Sequence, residues 1–225
     1  MHWCVSTHRQ MLLAHLSILG TLIGPRHVLT AGHCVHTGGS GGQWFSQPNL
    51  DFTLFRRPGI NGTSSTQLTF KADHAISVKG WVDNKNSDYD YALIILQEDT
   101  GQGWMSFGWY TGLGEGWRIN IDGFPSDKTL GTMWHSFGSI TDASGNRFDH
   151  DADTFPGNSG SGVYLFISAS NFMRIYGVHT GAYDYFSVSF PDVWNSHTVT
   201  TNVATRINEV RFKLICGWMA SPQVC

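Results

Sequence analysis

Up to about residue 195 the chain is a succession of short apolar or alternating runs, each closed within a few residues by Gly, Asn, Asp or Pro. Thr21-Leu22-Ile23, Val28-Leu29-Thr30, Tyr91 to Leu96, Arg118 to Ile121, Thr132 to Phe137, Ser161 to Ile167 and Arg174 to His179 are such runs. Segments of about 4 to 8 residues with turn signals at short intervals predict an all-β sandwich or barrel, not βαβ units. One segment has a different period. Val203, Ile207, Val210 and Leu214 recur at spacings of 4, 3 and 4 behind Thr200 and Thr201 as N-caps, which predicts a helix near the C-terminus. Loops are expected at His36 to Gly42 and at Asp83 to Asp88. The 225 residues allow one large domain or two of about 110 each. The best boundary lies at Gln97 to Gln102, where an apolar strand gives way to Glu, Asp, Thr and Gly, and it divides the chain into 1–101 and 102–225.

Charged residues make up 14% of the chain, against about 25% in an ordinary soluble domain. The net charge is −3 with no run of five like charges, so no nucleic-acid footprint is expected. A peptide, a protein or a small molecule is the expected partner. The longest apolar stretch, Met11 to Ile23, is interrupted by His15, Ser17 and Gly20 and is too short to span a bilayer. It runs straight into Gly24-Pro25-Arg26-His27 and reads as strand, turn and strand, not as a signal-peptide core. Four cysteines (Cys4, Cys34, Cys216 and Cys225) without a CxxC fit two structural disulfides and an oxidising, extracellular compartment. Asn61-Gly62-Thr63 is a glycosylation sequon in a polar stretch.

Three segments carry chemistry. Val28 to Val35 is an apolar strand that ends in small residues and then places His33 beside Cys34. Asp88-Tyr89-Asp90-Tyr91 puts a carboxylate just ahead of Ala92 to Leu96, a strand apolar on both faces. Pro156-Gly157-Asn158-Ser159-Gly160-Ser161-Gly162 is a glycine-flanked serine, the kind of tight turn that exposes a nucleophile and leaves backbone N–H groups free for an oxyanion. Each alone has an ordinary structural reading: a strand-end histidine, a turn aspartate, a Gly/Ser turn.

In the order His, Asp, Ser, these segments resemble the chymotrypsin-fold serine peptidases, and most closely their glutamyl endopeptidase branch and its eukaryotic relatives. The similarity covers about residues 20 to 218. It implies two six-stranded antiparallel barrels, with His33 and Asp90 on the first and Ser159, the specificity pocket and a C-terminal helix on the second. It makes Ser159 the nucleophile, His33 the general base and then acid, and Asp90 the carboxylate that holds the histidine. Asp88 is the rival for that last role. Gly157 and Ser159 would supply the oxyanion N–H groups. The resemblance requires no cofactor and no metal, and implies a monomeric, secreted endopeptidase acting on peptide or protein substrates away from membranes. Asn158 stands where many trypsin-like relatives carry an Asp that pairs with a new N-terminal amine, so that activation switch is expected to be absent.

For specificity, the resemblance places Thr154, His179, Thr180 and Gly181 along the pocket, with His179 and Thr154 donating to a glutamate (or aspartate) carboxylate at P1. Asp153, six residues before Ser159, is the rival: trypsin-like enzymes carry at that offset the Asp that attracts Lys or Arg. Two other functions remain open, an inactive homologue that only binds peptides and zinc binding by His33, Cys34 and His36. The chain departs from the pattern at its start. Relatives carry a cysteine just before the Gly-Thr-Leu-Ile-Gly strand that partners the one beside the catalytic histidine, whereas this chain has Ser17-Ile18-Leu19. The resemblance then makes Cys4 the nearest candidate partner for Cys34 and Cys216–Cys225 a candidate local bond, with all three pairings of four cysteines open. Met1 to Gln10 match no part of the pattern, show no clear signal peptide or propeptide, and fit a truncated or mis-started frame.

Overall fold

A computed structural model describes residues 4–5, 11–14, 19–45, 51–55, 67–129, 132–167, 172–188 and 196–220. Its first strand, β1 (Cys4–Val5), adds to a sheet formed by the second half of the chain. The next six strands, β2 (Met11–Ala14), β3 (Leu19–Gly24), β4 (His27–Thr30), β5 (Asp51–Phe55), β6 (Gln67–Ser77) and β7 (Ala92–Leu96), close into a barrel in the order β2-β3-β4-β7-β6-β5. The hairpin of β3 and β4 turns at Pro25 and Arg26, where the strand–turn–strand reading put it. Between β6 and β7 the chain makes a one-turn helix, α1 (Lys79–Val82), and a 3-10 turn at Ser87–Tyr89.

The second sheet contains β8 (Ser106–Phe107), β9 (Arg118–Gly123), β10 (Trp134–Asp142), β11 (Arg147–His150), β12 (Gly162–Ile167), β13 (Phe172–Val188) and β14 (Ser196–Arg206). Its order is β1-β10-β11-β14-β13-β12-β9, and a further β9–β10 pairing curls it round on itself. The six strands expected in this half, β9 to β14, pair in a ring in the order β9-β10-β11-β14-β13-β12-β9, and β1 added at β10 and β8 added parallel to β13 bring the sheet to eight.

Every residue of β3, β4 and β7 is buried, which explains why those runs do not alternate. One face fills the barrel, and the opposite side is covered by the other half of the chain. Accordingly Leu22, Val28, Leu93 and Ile95 share a core with Tyr164, Ile175, Val178 and Ile215 of the second half. A separate core lines the inside of the second sheet, with Ile119, Ile121, Ile140, Phe148, Val163 and Leu165.

The C-terminal helix is present but begins later than its apolar spacing implied. Residues 196–206 form β14, and α2 (Glu209–Met219) starts behind Asn208, whose Oδ1 accepts from Arg211 N at 3.0 Å. Val203 belongs to the strand, and Val210 and Leu214 are 74% and 38% exposed. The buried stripe is instead Arg211, Ile215 and Met219. A β-branched run, Thr198-Val199-Thr200-Thr201, favours extended backbone just ahead of that spacing, so Thr200 and Thr201, expected as N-caps, are strand residues, as is Val203. Arg211 is held by carbonyls: Nη1 donates to Asn146 O and Arg206 O, both at 2.6 Å, and Nη2 to Asp88 O.

The expected Cys4–Cys34 bond is not formed. Cys34 is a free, buried thiol pointing at Ser159 O at 3.7 Å, while Cys4 lies in β1 opposite His135. Cys225, the expected partner of Cys216, and the Asn61 sequon lie outside the described residues.

Candidate active site

β4 and β7 are neighbours, with Thr30 opposite Ala92, so the chain leaves β4 and enters β7 at the same end of the barrel. That register brings His33 and Asp90 together although 57 residues separate them. His33 sits in a 3-10 turn, Gly32–Cys34, and its Nδ1 is 2.7 Å from Asp90 Oδ2. The other carboxylate oxygen, Oδ1, accepts the His33 backbone N–H at 2.8 Å. Two bonds from one buried carboxylate fix both the turn and the ring, and they place the ring proton on Nδ1 with the lone pair on Nε2. The ring also meets the edge of Trp81 at 6.3 Å. Burial lowers the His33 pKa, but the hydrogen bond to Asp90 and the neighbouring Cys34 outweigh it, and the net shift is upward. Asp88 points elsewhere, with Oδ1 3.2 Å from Arg147 Nε.

Ser159 lies in the turn between Pro156 and Gly160, which is clamped against the first barrel. Gly160 has φ +93°, and a Cβ there would come within 2.0 Å of Leu19 O. Gly162 N donates to Thr21 Oγ1 at 2.9 Å, and Cys34 Sγ lies 3.7 Å from Ser159 O. The serine turn therefore abuts the turn that carries His33. Gly157, at φ +105°, lets the backbone turn where a side chain would strike Phe124 O. Neither Gly157 N–H nor Ser159 N–H has an acceptor among the described residues. Asn158 is fully buried, and its side-chain amide has no partner among them either.

A cleft of about 820 Å³ opens beside Ser159, lined by Phe137, Asp151, Asp153, Thr154, Phe155, Pro156, His179, Gly181, Ala182 and Asn202. Thr154, His179 and Gly181 thus reach one cavity with Ser159, and so does the rival Asp153. Thr180 does not line it; its Oγ1 donates to Val203 O at 3.2 Å. A bulge in β13 between His179 and Gly181 breaks the strict alternation at this point. Thr154 Oγ1 donates to Asn202 Oδ1 at 2.5 Å, and Asn202 Nδ2 donates to Ala152 O at 2.9 Å. The Thr154 proton is thereby directed at Asn202 and away from the cleft. His179 Nδ1 is 3.3 Å from Nε2 of His150, a buried residue of β11. Burial drives both pKa values down, that of His150 to about 3 and that of His179 well below 6.5, where repulsion from a protonated His150 or His33 would add to the effect. Both rings are neutral at ordinary pH.

His150, Asn202 and Phe137 were not among the residues picked out from sequence. The alternation of Phe148 and His150 in Arg147–His150 does mark His150 as inward-facing, but its meeting with His179 depends on β11 and β13 flanking β14. The zinc reading finds no support in the positions of its ligands. His33 Nδ1 faces Asp90, His36 Nδ1 accepts Gly38 N–H at 2.9 Å, and the Cys34 thiol faces Ser159 O. Among the described residues no three His, Cys, Asp or Glu converge as a metal site.

Comparison with known proteins places the chain. It is 36% identical over 151 residues to a Bacillus subtilis (strain 168) protein named extracellular metalloprotease, covering 64% of this chain and 45% of that one. It is 35% identical over 150 residues to glutamyl endopeptidase of Bacillus licheniformis, covering 66% and 45%. Serine protease 23 of Homo sapiens is 29% identical over 222 residues, covering 89% and 55%. The chain thus spans about half the length of the curated relatives it matches. Among solved structures, a Glu endopeptidase in complex with MPD superposes with a TM-score of 0.74 over 97% of each chain at 23% identity, a likeness of fold. The model of the trypsin-like peptidase domain matches residues 19–165, and the chain belongs to that family.

Proposed function

We propose that this chain is a serine endopeptidase that hydrolyses peptide bonds with Ser159 as nucleophile, His33 as general base and acid, and Asp90 as the residue that orients the histidine and stabilises the imidazolium it becomes. The observation that carries the proposal is the two-point hold of Asp90 on His33, at 2.7 and 2.8 Å, beside the turn that presents Ser159. With Nδ1–H committed to Asp90, Nε2 takes the Ser159 proton as Oγ bonds to the substrate carbonyl carbon. The oxyanion that forms is met by the free N–H groups of Gly157 and Ser159. His33 then gives the proton to the leaving amine as the C–N bond breaks. Water, deprotonated by the same nitrogen, hydrolyses the acyl-enzyme. In this reading residues 1–101 supply His33 and Asp90, and residues 102–225 supply Ser159 and the pocket. Labelling by a fluorophosphonate tests it: Ser159 carries the adduct, a chelator makes no difference, and Ser159→Ala abolishes labelling. An unlabelled protein would instead fit the peptide-binding reading.

At P1 the proposal is glutamate, with some aspartate. His179 lines the cleft beside Ser159, and a neutral imidazole N–H is a donor suited to a carboxylate. Rotation of Thr154 Oγ1–H from Asn202 to the substrate would add a second donor. The glutamyl endopeptidase relative supports the same preference. Asp153 lines the same cleft, and that observation favours a second reading with Lys or Arg at P1. Cleavage-site mapping on a mixed peptide library separates the two: cuts after Glu support His179 as the pocket residue, and cuts after Lys or Arg that survive His179→Ala support Asp153. A secreted location, acting on extracellular protein substrates, follows the extracellular relative and is tested by finding the protein in the culture medium of its source.

A further inference from the structure

Behind the cleft, His150 faces His179 across β14, with Nε2 and Nδ1 3.3 Å apart. The other nitrogen of His150, Nδ1, is buried without a partner among the described residues. Two neutral imidazoles can share one hydrogen bond in two ways. If His179 Nδ1–H donates to His150 Nε2, the His150 proton must sit on Nδ1, which buries an N–H with no acceptor. The same choice leaves His179 with a bare lone pair on Nε2, the ring nitrogen turned to the cleft, and a lone pair repels a carboxylate. If His150 Nε2–H donates to His179 Nδ1, the buried Nδ1 of His150 is a lone pair and His179 carries its proton on Nε2. Orphaned buried N–H groups are rarer than under-satisfied acceptors, so the second arrangement is favoured. A ring's tautomer is set by the bond its other nitrogen makes.

We propose that His150 is a positioning residue for the P1 carboxylate: by donating from Nε2 to His179 Nδ1 it holds the His179 proton on Nε2, where it faces the cleft as a fixed hydrogen-bond donor. The proposal rests on the glutamate reading for its consequence, though not for its geometry. Both rings stay neutral, so the pocket meets the substrate charge with an oriented dipole and not with a cation. His150 touches no substrate. It acts only through His179.

The tautomers are read without substrate, by ¹⁵N NMR of the full chain labelled at histidine and assigned with single variants. The expected result is a protonated Nε2 and an unprotonated Nδ1 on His179, and a protonated Nε2 on His150. A His179 proton on Nδ1 overturns the proposal. Kinetics on paired peptides with Glu or Gln at P1 provide the second readout. His150→Phe should lower kcat/KM for the Glu peptide about 10-fold, through KM, and change that for the Gln peptide much less. His150→Gln, which can again place an N–H near His179, should recover part of the loss. Equal losses on both peptides would mean that His150 only supports the fold, and would overturn the proposal. If the unmodified protein prefers another P1 residue, the glutamate reading fails by itself, and the NMR result still decides the tautomer.

Discussion

Ser159 stands in a turn whose two glycines, Gly157 and Gly160, the surrounding backbone demands, and the N–H groups of Gly157 and Ser159 have no acceptor among the described residues. Residues that act as one unit lose activity together. Ser159→Ala or His33→Ala should each lower kcat by roughly 10⁴-fold or more, and the double variant should be little worse than either. Retention of more than a few per cent of activity by Ser159→Ala would rule out the mechanism. His33 must be neutral to accept a proton, and Asp90 raises its pKa above the ordinary 6.5. The acid limb of kcat/KM should therefore lie above pH 6.5, and Asp90→Asn should depress the rate and move the limb to lower pH. A wild-type limb below 6.5 would show that His33 is not the base. The three motif segments were legible because each is local: a histidine after a strand, an aspartate before one, a serine between glycines. His150 was not legible, because its partner is 29 residues away on another strand.

At the scale of elements, the helix shows how a period can mislead. The spacing of Val203, Ile207, Val210 and Leu214 joins a strand residue to two exposed helical ones, whereas the packed stripe runs Arg211, Ile215, Met219. Ile215→Ala should cost about 2 to 5 kcal/mol by opening a cavity in the shared core, and Val210→Ser should change stability by less than about 0.5 kcal/mol. Urea titration of both variants tests this, and equal losses would contradict the packing. Arg211 links α2 to the 3-10 turn ahead of Asp90 through the Asp88 carbonyl, so α2 also braces the candidate site. No pattern rule would place an arginine in that stripe. It is tolerated because three carbonyls and the faces of Tyr89 and Tyr91, at 5.6 and 5.3 Å, surround the guanidinium.

For the whole molecule, histidines set opposing pH limits. Burial lowers the pKa of His27, His150 and His179, so the unfolded chain binds protons that the folded chain does not. Their contribution to stability is present above pH 6.5 and is lost as pH falls below it. For His150 and His179 the loss is about 1.4 kcal/mol per pH unit each, continuing for His150 toward about pH 3. His33 has the opposite sign: its contribution is complete below 6.5 and is lost as pH rises through its raised value. Denaturant titrations from pH 7 to pH 5 should show stability falling, with His150→Phe reducing the slope by about one histidine's share. An unchanged slope in that variant would show that His150 is not buried neutral.

The sequence by itself determined that the chain is built mainly of short strands, where several of them turn, and which three short motifs read together as a candidate catalytic set, because backbone sterics, side-chain periodicity and turn residues act between near neighbours. Only the tertiary structure decided what those segments meet. The β4–β7 register joins His33 to Asp90, and the β11–β14–β13 order sets His150 behind His179. Packing also turned Cys34 toward Ser159 and away from a disulfide, and drew Val203 into a strand. Such pairings are selected by burial summed over whole sheets, a free energy that no local window of residues contains.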